Sequence, residues 1–173
     1  MSFNPKISLI YQNSGVLLGL LSISIFLSTF ISCQRTPLQF IERRNSNNAK
    51  EVQLGESQYY LEIPDNFELS EARGKEGGLG YNIVPRDSAS KMFGFVEIEP
   101  AGGIGDDSEV DSTRIFVQSY LSGKKVKWKI YQTYKGYFEA YSSHNGNLSA
   151  YAISNKRSDI DTLVSIIATL MRK

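Results

Sequence analysis

The sequence is poor in the residues that usually carry covalent or metal chemistry, with one cysteine, one histidine and one tryptophan in 173 residues. One cysteine cannot form a disulfide within the chain, and zinc sites built from cysteine and histidine need more of these residues. An excess of one charge is also missing: Lys6 is the only charged residue among the first 32, and from Cys33 onward 18 Lys and Arg balance 18 Asp and Glu. A neutral chain is not a general binder of polyanions. The fold must therefore be stabilised by an apolar core.

One long stretch, residues 15–32, lacks charge altogether and reads GVLLGLLSISIFLSTFIS. With Lys6 before it and the small residue Ser32 at its end, it has the pattern of a secretory signal peptide. At about 1.5 Å per residue it is also at the lower limit for crossing a bilayer, so an uncleaved membrane anchor is an alternative. A secreted product without lipid is another. A buried core helix is disfavoured, because the run is apolar on all faces.

The residues that end this run, Phe30-Ile31-Ser32-Cys33, resemble a bacterial lipobox, with Phe30 where Leu is usual. In that family the cysteine receives a diacylglyceryl group, the preceding peptide is removed, and the new amino terminus is acylated. The resemblance implies that residues 1–32 are a lipoprotein signal peptide and that Cys33 is the lipidation site. It also implies a place in a bacterial cell envelope, on the periplasmic or outer-membrane side. The membrane is then the first partner, since two or more acyl chains anchor stably where one does not.

The rest of the chain divides by composition into a tether and a domain. Residues 33–56 are polar and without clear periodicity, which predicts a flexible tether. Its pair Arg43-Arg44 is either solvated, the reading we favour, or in contact with anionic headgroups. Residues 57–173 have the size of one domain.

Periodicity within that domain predicts strands and helices in the order β-β-β-α-β-β-β-α. The predicted strands are 58–63, 81–84, 92–99, 124–132, 136–143 and 148–154. Asn145-Gly146 predicts a tight hairpin between the last two. The predicted helices are 108–122, with Gly123 as its stop, and 158–171, with an apolar stripe. We therefore expect an α+β fold: an antiparallel β-sheet of about six strands with two packed helices.

This element order resembles the PsbP, Mog1 and DcrB group of domains, which implies an α/β sandwich. The resemblance covers residues 58–173 and rests on the order of elements rather than on a motif. It implies a binding or assembly-factor role rather than catalysis.

Three features of the sequence suggest catalysis or the binding of an ion or phosphate, and we disfavour each of these functions. His144, at the predicted hairpin tip, has no visible partner to orient it as a catalytic base. The acidic run 106–111 lacks the alternating spacing of a calcium loop. The glycine-rich segment 74–80 lacks the Gly-Lys-Ser/Thr ending of a phosphate-binding loop; whether it or the segment 102–105 binds anything is left open. The sequence therefore predicts no catalytic residues, no metal and no cofactor.

The candidate binding surface lies on the predicted strand 124–132, where Lys125, Lys127 and Lys129 alternate and Trp128 is interleaved. Such patches bind nucleic acid or acidic glycans. An exported location argues against nucleic acid. The alternative, which the neutral charge of the chain from Cys33 onward favours, is that the lysines only keep an exposed strand from pairing edge to edge.

These inferences combine into one prediction: a membrane-anchored exported lipoprotein that is not an enzyme and acts as a non-catalytic binding or envelope-assembly component. An envelope protein is a candidate partner. The alternatives are an enzyme accessory or weak hydrolase, and an immunity or inhibitor lipoprotein. A deep cleft with two convergent carboxylates favours the enzyme, whereas a flat apolar or basic patch favours the binder.

Overall fold

Strands dominate the computed structural model, which describes residues 38–45, 47–73, 78–87, 89–99, 114–145 and 147–173. The strands are β1 (Gln39–Phe40), β2 (Ala49–Gln53), β3 (Tyr59–Pro64), β4 (Phe67–Arg73), β5 (Leu79–Pro85), β6 (Met92–Ile98), β7 (Ile115–Leu121), β8 (Lys124–Gln132), β9 (Phe138–His144), β10 (Leu148–Ser154) and β11 (Met171–Arg172). Over these ranges there is one helix, α1 (Arg157–Ile167).

The strands form two sheets. The larger has eight strands in the order β1-β7-β8-β9-β10-β6-β5-β4, and the smaller has three in the order β11-β3-β2. All neighbours pair antiparallel except β1, which pairs parallel with β7. The large sheet is therefore mixed, with a short parallel strand at one edge.

Helix α1 packs on one face of the large sheet, chiefly over β10 and β6. Gly94 in β6 allows this close approach, since a Cβ at that position would lie 3.2 Å from Cδ2 of Leu163. The helix buries Ile160, Leu163, Val164, Ile166 and Ile167. We call the covered side of the large sheet the packed face and the opposite side the far face.

The predicted α+β fold with two helices is wrong. Residues 115–121, expected in a helix over 108–122, form β7, while 108–113 lie outside the described residues. Gly123 does not end a helix: Leu121 pairs with Lys124, and the two residues between them, Ser122 and Gly123, have φ of 50° and 74°. Two positive φ angles in a two-residue loop are the mark of a type I′ hairpin. The α/β sandwich implied by the resemblance to PsbP, Mog1 and DcrB is therefore wrong as well.

The tether predicted over 33–56 is also wrong from Leu38 onward, where the chain enters the fold. Ile41 and Leu54, on either side of β2, are 7% and 0% exposed. The Ile41 N–H donates to the Gln118 carbonyl oxygen at 2.8 Å, and β2 pairs along its length with β3. These partners are distant in sequence, so local composition could not indicate them. The compact unit of the described residues accordingly begins at Leu38, not at residue 57.

The remaining elements follow the sequence more closely. Strands β8 and β10 have the predicted bounds, and β3, β5, β6 and β9 differ from theirs by one to two residues at an end. The final helix ends earlier than predicted, at Ile167, because Met171 and Arg172 leave it to pair with β3. The signal peptide predicted over 1–32, and Cys33, lie outside the described residues.

Candidate binding surface

Three lysines of β8, Lys125, Lys127 and Lys129, point away from the core because a strand alternates its side chains between two faces. Ile130 pairs with Ala140, which pairs with Ala152, which pairs with Gly94 under α1. Ile130 therefore lies on the packed face. Lys125, Lys127 and Lys129 are each an odd number of positions from Ile130, so their side chains lie on the far face.

Trp128 does not belong to the predicted binding surface. It lies on the packed face beside Val117, its partner in β7, and is 0% exposed. Among the described residues no hydrogen-bond partner lies within reach of its indole Nε1. The correction follows from strand periodicity, since a residue between two lysines of the far face must point to the packed face.

Aromatic side chains from two neighbouring strands join the lysines on the far face. The cross-strand pairs are Phe116 with Lys129, Gln118 with Lys127, and Tyr120 with Lys125, while Phe40 in β1 pairs with Gln118. We call this group the basic–aromatic surface; it consists of Phe40, Arg43, Phe116, Tyr120, Lys125, Lys127 and Lys129.

Cations and rings within this surface are already in contact. The Lys127 Nζ lies 3.7 Å from the centroid of the Phe116 ring, and the Lys125 Nζ lies 5.3 Å from that of Phe40. The Arg43 guanidinium lies 4.7 Å from the Tyr120 ring. Such pairs contribute about 0.5–1 kcal/mol each at exposed sites, so they orient the side chains without neutralising their charge.

The edge of the surface is fixed by contacts around β1. The Phe40 and Tyr120 rings meet edge to face with centroids 5.3 Å apart. Below them, the Ser119 Oγ donates to the Ile41 carbonyl oxygen at 2.7 Å. The Arg44 N–H donates to the Ser165 carbonyl oxygen at 3.0 Å, which ties the same segment to α1. The segment that carries Phe40 and Arg43 is thus held from both sides.

A tyrosine–carboxylate cluster continues the far face toward the middle of the sheet. The Tyr131 hydroxyl donates to Glu139 Oε2 at 2.9 Å. Burial, with the nearby Glu139 carboxylate as second cause, holds the pKa of Tyr151 well above its ordinary value. The phenol of Tyr151 therefore stays protonated and can act only as a hydrogen-bonding group at ordinary pH.

A buried acid lies further along the same face. Glu97 in β6 is 6% exposed, and the Ser149 hydroxyl donates to its Oε2 at 3.5 Å. Phe93 and Phe95, which precede Glu97 in β6, have stacked rings, with centroids 6.4 Å apart and an angle of 13° between their planes. One buried carboxylate beside aromatic rings is not the pair of acids that a glycoside hydrolase uses.

The other residues considered for chemistry take structural positions or are not described. His144, predicted in the hairpin tip, is instead the last residue of β9, where it pairs with Leu148, and Asn145 after it has φ of 52°. Gly80 serves packing, since a Cβ there would lie 2.4 Å from the Phe95 ring. The acidic run 106–111, the glycines at 102–105 and residues 74–77 lie outside the described residues.

Within the described ranges, no three His, Cys, Asp or Glu side chains come close enough to hold a metal ion. A search of the same ranges for a helix long and apolar enough to cross a membrane finds none. Sequence reasoning missed Phe40, Phe116 and Tyr120 as surface residues, and it considered Arg43 only as part of the basic pair Arg43-Arg44. The alternation Phe116, Gln118, Tyr120 against Val117, Ser119, Leu121 was the signal that could have found three of the outward positions.

Comparisons of the chain with protein-family models, with curated proteins and with solved structures found no match. The candidate site therefore rests on its own geometry.

Proposed function

We propose that the protein is an exported lipoprotein held on a membrane of the bacterial envelope by lipid on Cys33. Its domain acts as a non-catalytic binding or envelope-assembly component, and the basic–aromatic surface is where it binds. The observation that carries the binding role is the alignment of three cations, Arg43, Lys125 and Lys127, each over an aromatic ring on one face of the sheet.

A surface of this kind suits a partner that is anionic and partly apolar. Lys125, Lys127 and Arg43 are exposed, so their charge is available to a partner. Their rings add apolar area that gains free energy when water is excluded. A flat basic and aromatic patch, rather than a cleft between two carboxylates, is the arrangement that favours a binder over a hydrolase.

Support for the anchor comes from the sequence alone. The uncharged run 15–32 ends at the only cysteine of the chain. The described fold begins at Leu38, five positions after Cys33, so the domain would follow the lipid almost directly.

A photo-crosslinking residue at Gln118, between Phe40 and Lys127, tests the binding role in intact cells. The matched control is the same residue at Ser158, which is exposed on α1 on the opposite side of the sheet. We expect discrete adducts from position 118 and not from 158, and the adduct masses tell protein partners from lipid. Equal labelling from both positions, or none from 118, would contradict the proposed surface.

A further inference from the structure

We infer that the basic–aromatic surface docks on the anionic lipid surface of the membrane that carries the anchor. The inference rests on the proposed lipid at Cys33 and names the partner of the proposed binding surface. Its basis is the place where the chain enters the fold, together with the exposed apolar side chains found there.

The anchor and the surface are close along the chain. Leu38 follows Cys33 by five positions, and five extended residues span at most about 18 Å. Phe40, Ile41 and the Arg43 segment follow at once, fixed on β7 by the contacts of Ile41. A lipid on Cys33 would therefore hold this edge of the sheet near the headgroups.

Exposed apolar side chains gather at the same edge. Leu38 immediately precedes β1, and Phe116 lies near the start of β7, which runs parallel to it. Leu38 and Phe116 are 42% and 36% exposed. Ile115 pairs with Ile130 and therefore lies on the packed face, away from this surface. Large apolar groups left in water beside several cations are typical of surfaces that lie in the membrane interface.

The charge of this region matches an anionic membrane. From residue 38 to 44 the segment carries Arg43 and Arg44 against one acid, Glu42, and β8 adds its lysines. Each basic side chain near an anionic leaflet raises membrane binding about fivefold. The balance of charge from Cys33 onward does not oppose this, because electrostatic attraction decays within a Debye length of about 10 Å.

The ring contacts favour lipid over a stacking ligand such as a sugar or a nucleic-acid base. A stacking ligand needs an uncovered ring face. Here the Lys127 Nζ lies 3.7 Å from the Phe116 centroid, and Arg43 covers Tyr120. The cations lie over the rings on the solvent side, and this arrangement suits binding to headgroup phosphates.

The test uses the full lipidated chain, with Phe116→Trp, in phosphatidylcholine vesicles with or without phosphatidylglycerol. Brominated lipids quench a tryptophan that enters the interface, and the wild-type chain corrects for buried Trp128. We expect quenching with phosphatidylglycerol and much less without it. Lys125→Gln with Lys127→Gln should lower the ratio of docked to undocked domain about 25-fold, from about fivefold for each lysine. Lys156→Gln, exposed beside α1, should leave it unchanged.

A second measurement needs no substitution. Acetylation of Lys125 and Lys127, read by mass spectrometry against Lys156, should slow on the anionic vesicles only. Chains that float with the vesicles but show neither quenching nor protection refute the docking and leave the anchor intact. Chains that do not float refute the anchor and the docking with it. If Lys125 and Lys127 are protected from acetylation only after an acidic polysaccharide is added, the surface binds a glycan and not lipid.

Discussion

The hydroxyl of Ser119 donates a hydrogen bond to the carbonyl oxygen of Ile41 at 2.7 Å, across 78 positions of sequence. Both residues are buried, and each is next in sequence to one of two rings in contact, Ile41 to Phe40 and Ser119 to Tyr120. It joins the segment that follows Cys33 to the strand that supplies Phe116 and Tyr120 to the basic–aromatic surface.

Replacing Ser119 by Ala should therefore loosen the anchor-proximal edge. The Ile41 carbonyl oxygen would lose this donor in a buried place, which costs about 1–3 kcal/mol. The free energy of unfolding from a denaturant titration measures the loss. Ser143→Ala, on an exposed position of β9, is the control and should change it by less than about 0.5 kcal/mol. Equal effects of the two would show that the bond does not hold β1 in place.

The turn between β7 and β8 offers a substitution that should stabilise the fold. Ser122 has φ of 50°, a conformation that asparagine tolerates better than serine, and Asn-Gly is the preferred pair for a type I′ turn. Ser122→Asn should raise the free energy of unfolding, within the range of about 0.5–2 kcal/mol usual for such changes. Ser122→Val should lower it, because a β-branched side chain is strained there. The opposite order would indicate a helix at this place after all.

Leu163 tests the packing that separates the two faces of the sheet. Its Cδ2 lies against Gly94, and Leu163→Ala should cost about 2–5 kcal/mol through the lost contacts and the cavity. Ser158→Ala, exposed on the same helix, should stay within about 0.5 kcal/mol. Thermal or denaturant unfolding distinguishes the two. A cost below about 1 kcal/mol at Leu163 would mean that α1 is not packed as described.

Alkaline pH should weaken the fold through Tyr151. Because its pKa is raised in the folded state, the folded protein keeps a proton that the unfolded chain releases near pH 10. The stabilisation is present below that pH and falls as pH rises above it. The free energy of unfolding should be measured from about pH 8 to about pH 11, the range in which phenols titrate. Over that range it should fall less steeply for Tyr151→Phe than for the wild-type chain. Parallel curves would exclude a contribution from Tyr151.

Strict alternation made part of this fold predictable. Strand β8 could be read from Lys125, Lys127 and Lys129 on one side with Trp128 and Ile130 on the other. The same alternation places Trp128 on the side opposite the lysines, so the sequence itself argues against Trp128 as part of a surface patch.

Other parts of the fold depend on partners that no local pattern reveals. The apolar positions Val117 and Leu121 fit a helical spacing as well as a strand, and only pairing with β8 and the Ser122-Gly123 turn decide between them. Strand β1 has two residues, and its pairing with β7 joins segments far apart in sequence. For this reason the sequence could not place Phe40 beside Phe116 and Tyr120, although the alternation along β7 marks those two residues as outward-facing.

The intact mass of the protein purified from membranes tests the central claim most directly, since both the proposed anchor and the proposed docking rest on a lipid at Cys33. The account predicts a chain of residues 33–173 carrying a diacylglyceryl group and an amide-linked acyl chain, and a Cys33→Ala variant that is either released from membranes or left as an unprocessed precursor. A mass equal to residues 1–173 without added lipid would contradict it.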